Sequence, residues 1–172
     1  MNLPFGGEGK MVPFEPVVLT DGERQECQTM LHTLTQVEGG YYAIREELAD
    51  SFKRSIVALC MMGRAERFLI AAGGGLLTGA PPTPGQRYRA EYGERACQAA
   101  AKACGVFPLS IYFYDFACVL RQVGRPEEAN QMLGEFLRRL ETEVLDPIMR
   151  STLKRRDVDL AAQFARQWYL GI

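Results

Sequence analysis

From residue 20 onward the chain repeats apolar residues three and four positions apart, separated by short polar or glycine-containing breaks. That is the period of helices that bury one face. The pattern predicts an all-α protein, a stack of antiparallel helical hairpins with about six or seven helices. Residues 20–172 form one helical domain. Residues 1–19 form an extended arm, since Pro13 and Pro16 break any continuous element there.

The first helix is expected at Thr20 or Asp21, where Thr20-Asp21-Gly22-Glu23 fits a capping box. It passes through Met30, Leu31, Leu34 and Val37 and stops at Gly39-Gly40. A second helix, about Tyr41 to Met62, carries a stripe of Tyr41, Ile44, Leu48, Phe52, Ile56, Leu59 and Met62. Asp50 and Arg54 pair one turn apart on it. A third segment runs from Arg64 to about Leu77. Gly73, Gly74 and Gly75 weaken it by roughly 1 kcal/mol each relative to alanine. Pro81, Pro82 and Pro84 then form a loop near 80–85, the clearest break in the chain. A fourth helix, about Gln86 to Ala103, presents Tyr88, Tyr92, Ala96, Ala99 and Ala103 on one face, with Arg87/Glu91 and Glu91/Arg95 as charge pairs. A turn is expected at Gly105 to Pro108.

Tyr112 to Leu140 is the most interpretable stretch. Phe113, Phe116, Ala117, Leu120 and Val123 recur at helical spacing. Gly124 ends that helix by adopting the left-handed conformation, and Pro126 suits the first turn of the next. Glu127 and Glu128 sit at the positive end of its dipole. Ala129, Met132, Leu133, Phe136, Leu137 and Leu140 continue the stripe, and Glu135 and Arg139 form a surface pair. The short connection makes the two helices antiparallel neighbours. Ala117, Gly124 with Ala129, then Leu133 and Phe136 resemble a tetratricopeptide repeat over about one unit. Glu141 stands where that family often has proline. A weaker echo occurs at Ala58 to Leu76, sharing Leu59/Leu120, Gly63/Gly124, Arg64/Arg125, Glu66/Glu127, Gly73/Gly134 and Leu76/Leu137. It predicts an earlier hairpin turning at Gly63, at an interval longer than one such unit.

Asp146-Pro147 restarts a helix, with aspartate as cap. Lys154, Arg155 and Arg156 form a basic cluster offset by Asp157 and Asp159. Leu160, Phe164 and Trp168 lie four apart and are expected to pack a last helix onto the body.

Composition adds limits rather than a chemistry. The chain has 172 residues, 47% hydrophobic and 24% charged, with a net charge of −1. These values fit one ordinary globular core and argue against a nucleic-acid binder. Five cysteines in no framework spacing point to a reducing compartment and a cytoplasmic location. The N-terminal stretch has no apolar core of leader length. Ile56 to Leu77 is interrupted by Arg64, Glu66 and Arg67, so no membrane insertion is expected.

Candidate chemistry is sparse. The glycine run lacks the Lys and Ser/Thr of a phosphate loop and no strand precedes it. His32 is the only histidine, so a histidine-based metal site would need other ligands. Cys97 and Cys104 lie two turns apart without a Cys-x-x-Cys and read as small packing residues. Glu46 and Glu47 point about 100° apart on a helix and cannot face each other as a catalytic pair. Ser151-Thr-Leu-Lys154 matches Ser-x-x-Lys without its companion motifs. No metal, cofactor or catalytic residue is assigned.

The function expected from this is non-enzymatic: an adaptor or scaffold that binds another protein, as a peptide or partner helix, or a subunit of a larger complex. The resemblance implies that the first helix of each hairpin lines a concave face. The residues expected to be exposed there are Asp50, Lys53, Val57 and Met61 in the earlier hairpin, and Tyr114, Cys118, Arg121 and Gln122 in the later one. The alternative is a small helical enzyme or ligand-binding protein whose site is assembled from distant residues, such as Cys97 or Cys118 with His32.

Overall fold

A computed structural model describes residues 17–37, 46–73 and 90–169. Among the described residues the ordered elements are all helices: α1 (Asp21–Val37), α2 (Glu46–Ala71), α3 (Ala90–Val106), α4 (Ser110–Gln122), α5 (Pro126–Thr142), α6 (Pro147–Lys154) and α7 (Val158–Trp168). The arm over 1–16, the expected start of the second helix at Tyr41, Gly74, Gly75, the proline loop at 80–85, and Arg87 and Tyr88 lie outside the described residues.

Local chemistry sets the helix ends. At α1 the capping box closes reciprocally: the Glu23 amide donates to Thr20 Oγ1 at 3.2 Å, and the Thr20 amide donates to Glu23 Oε1 at 2.8 Å. Val17 to Thr20 precede it without helical structure, and a Cβ on Gly105 of α3 would stand 2.8 Å from the Val17 side chain. Glycine therefore lets this segment lie directly on α3. The α4–α5 turn is a Schellman motif. Gly124 has φ +78°, its amide donates to Arg121 O at 3.2 Å, and the Arg125 amide donates to Leu120 O at 2.9 Å. Asp146 caps α6 by accepting from the Met149 amide at 2.8 Å, and its other oxygen accepts from Ser51 Oγ on α2 at 2.6 Å. Asp157 caps α7 through the Leu160 amide at 3.0 Å.

The earlier hairpin expected around Gly63 does not form. α2 runs unbroken through Gly63 and Arg64 to Ala71 and ends at Gly73, whose φ is +99°. One glycine costs a helix roughly 1 kcal/mol, whereas Ala58, Met61, Met62, Ala65 and Leu69 around it are all buried. That apolar burial outweighs the local penalty. Of the stripe expected on α2, Ile56 and Met62 are buried, but Leu59 is 47% exposed. α3 likewise passes Gly105, and the turn comes at 107–109.

α2 and α3 run antiparallel, with Phe68 near the end of α2 stacked on Tyr92 near the start of α3 at 6.5 Å. The α4–α5 pair is the expected hairpin. Its Ala117, Ala129, Leu133 and Phe136 are all buried. Glu143, just beyond α5, accepts from the Ser110 amide and hydroxyl at 2.9 and 2.5 Å. It thereby satisfies the start of α4, which lacks a capping side chain of its own. α4 is the hub. Every residue from Ser110 to Gln122 except Arg121 is buried, because α2, α3, α5 and α7 all pack on it. A helix apolar nearly all round is a core helix.

Candidate functional site

The two faces expected to meet a partner are placed differently by the fold. On α2, Asp50 and Lys53 are exposed, and Asp50 pairs with Arg54 at 3.0 Å. Val57 is half-buried, and Met61 is fully buried. On α4, Tyr114, Cys118 and Gln122 are buried rather than exposed, and only Arg121 reaches the surface in part. The reason is α7. Trp168 stacks on Tyr114 with ring centroids 6.2 Å apart and planes 5° apart, and the Arg121 guanidinium lies 4.2 Å from the Trp168 centroid. The chain's own last helix covers part of the face on which a partner helix was expected.

α7 itself departs from its sequence reading. Its buried residues are Ala161, Ala162 and Ala165, while Leu160 is 44% exposed and Phe164 and Trp168 are half-buried. Phe164 stacks on Trp168 at 5.2 Å. Small residues bring the helix close to the body, so the large ones are displaced to its rim. The four-residue spacing was legible in the sequence. Which side of the stripe would face inward was not.

Two buried charges were missed as well. Asp115, 1% exposed on α4, accepts both guanidinium N–H groups of Arg156 at 2.7 and 2.6 Å. Burial pushes its carboxyl up, against the pull of Arg156. Arg156 belongs to the basic cluster expected to be offset by Asp157 and Asp159, and it pairs instead with Asp115. The available signal was one aspartate inside the apolar run Tyr112 to Leu120, since a buried charge needs a partner. Glu135 and Arg139, read as a surface pair, are mostly buried. Arg139 donates to Glu135 at 2.7 Å and to Pro108 O at 3.2 Å, beneath the Phe113 ring at 4.4 Å.

The five cysteines are free and buried. Burial pushes Cys60, Cys97 and Cys118 up to about 12 and raises Cys27 and Cys104. Such thiols are poor nucleophiles at neutral pH. His32 is exposed on α1, whereas Cys97 and Cys118 are buried on α3 and α4. Ser151 and Lys154 are both exposed. The side chains of Glu46 and Glu47 lie outside the described residues. Among the described residues no group of three or more His, Cys, Asp or Glu side chains is arranged to hold a metal ion. No described helix is long and apolar enough to cross a membrane. An open groove of about 600 Å³ runs along one side of α1, past Gly22, Gln25, Glu26, Thr29, Met30 and Thr33. Its carboxylate, Glu26, is held by Arg64 and Arg67, each at 2.5 Å.

No family model, curated protein or solved structure matches this chain.

Proposed function

We propose that this chain is a non-enzymatic helical adaptor that holds another protein, presented as a peptide or a helix, within a cytoplasmic complex. The observation that carries the reading is α7, which packs through alanines and keeps Leu160, Phe164 and Trp168 at its rim. Large apolar and aromatic side chains at a surface are the residues that anchor protein partners. Exposed Asp50 and Lys53 on α2 are the remaining charged candidates of the expected surface. The tetratricopeptide-like hairpin stack is part of the same proposal. It rests on the packing of α4 against α5, on the burial of Ala117 and Ala129, and on the left-handed Gly124 between the two helices.

A second reading has one feature in its favour. The groove along α1 has a volume within the range of small-molecule sites, and a bound metabolite there would make this a ligand-binding protein.

The test is affinity capture of the tagged chain from its native lysate, with Leu160→Asp and Lys53→Glu run alongside. Leu160 is exposed enough for its replacement to leave the fold intact, which circular dichroism checks. The adaptor reading expects a stoichiometric protein partner that Leu160→Asp releases. A chain that purifies alone with a bound small molecule overturns it in favour of the groove.

A further inference from the structure

α7 is seated on the body by small contacts. Its fully buried residues are Ala161, Ala162 and Ala165, each of which takes little more than a methyl group out of water. α4, by contrast, buries every residue but Arg121, and α5 buries Met132, Leu133 and Phe136. The large side chains of α7 stay at its rim, and Trp168 is only half-buried against Tyr114 and Arg121. The Asp115–Arg156 pair lies at the base of the helix, because Arg156 belongs to the non-helical stretch 155–157 between α6 and α7. A buried carboxylate regains its hydration when its cover lifts, which offsets much of the ion pair that is lost. The pair therefore fixes where α7 seats more than how firmly it is held. α6 packs on α2 instead, and its Asp146 cap is bonded to Ser51, so it stays behind.

We propose that α7 is a releasable cover. It lifts as a unit about 155–157 while α2 to α5 stay folded, and it bares the Tyr114 ring and the Asp115 carboxylate of α4. Seated, the chain presents neither, since they are 8% and 1% exposed. Lifted, it presents both, and the α7 equilibrium sets how often. Segments with few buried apolar contacts are the ones that open below the global unfolding free energy. A free helix of 11 residues is marginal in water, so the α7 amides exchange once it has lifted. The adaptor reading uses the rim of the seated helix. The cover is a property of the chain alone and stands or falls without a partner.

The test is hydrogen exchange on the full chain, read by peptide mass spectrometry in urea below the unfolding transition. The α7 amides are expected to be at least about tenfold less protected than those of α4, with a weaker urea dependence, since a small opening exposes little surface. Trp168 is the single tryptophan, so its fluorescence follows the same helix. Ala162→Glu puts a carboxylate at a buried position of α7. It should shift Trp168 emission to longer wavelength and abolish α7 protection while α4 and α5 still exchange slowly. The proposal is overturned if α7 and α4 of the wild-type chain exchange at one rate with one urea dependence. It is equally overturned if Ala162→Glu strips protection from α4 together with α7.

Discussion

Removing the Arg156 side chain tests how the core tolerates its one fully enclosed aspartate. In Arg156→Met the Asp115 carboxylate, 1% exposed, loses both charge-assisted hydrogen bonds. Breaking a buried pair from one side costs about 3–5 kcal/mol. The lower end is expected here, about 3 kcal/mol, because the Arg156 side chain is 37% exposed and water softens the loss. The double variant Asp115→Leu/Arg156→Met should recover most of that penalty, since apolar replacement of a whole buried pair is often near neutral. The effect also has a sign in pH. Without Arg156, burial alone acts on Asp115, so its folded-state carboxyl stands above the ordinary 3.8. A group raised on folding favours the folded state when protonated, so the penalty is smallest below that value and grows as pH rises through the folded-state pKa. Urea titrations of wild type, both single variants and the double variant, in mildly acidic and neutral buffer, measure all of this. A single variant within about 0.5 kcal/mol of wild type at neutral pH, or a double variant no better than Arg156→Met, refutes the reasoning.

Three further outcomes follow from the geometry. Gly134→Ala places a Cβ 3.0 Å from the Tyr169 ring, which should cancel most of the roughly 1 kcal/mol that alanine otherwise gains over glycine inside a helix; Tyr169→Ala in the same chain should release that gain in a double-mutant cycle. Gly124→Ala meets no neighbour within 4 Å but must hold φ +78°, so denaturation should show a loss of about 1–2 kcal/mol from backbone strain alone. Burial raises Glu23 and Glu26, but hydrogen bonds from Lys102 and Thr20 to the first, and from Arg67 and Arg64 to the second, outweigh it and leave both below the ordinary 4.5. Groups depressed on folding stabilise above their unfolded value and lose that contribution as pH falls through the folded one. Amide exchange across α1 should therefore accelerate below pH 4.5 before α4 exchanges, and simultaneous exchange would count against it.

What could be read from the sequence was local. The Thr20–Glu23 box, the Gly124–Pro126 turn and the Asp146 cap depend on residues within five positions of one another, and all three stand as expected. Gly63 misled because a local penalty was weighed without the burial on both sides of it. The burial of Tyr114, Cys118 and Gln122 depends on how α2, α3, α5 and α7 come to rest on α4, which helical phase within α4 does not encode. Arg156 was unreadable for a related reason: its partner lies on α4, beyond a hairpin and a further helix, and no spacing rule connects them.

The unbroken course of α2 gives the molecule a single rigid rod of about 39 Å. Its first turns are tied to the cap of α6 through Ser51 and Asp146, and its last turns to α1 through Arg64, Arg67 and Glu26. A hinge at Gly63 would have let those ends move independently. Without one, a displacement imposed at either end is carried to the other as a tilt of the whole shaft.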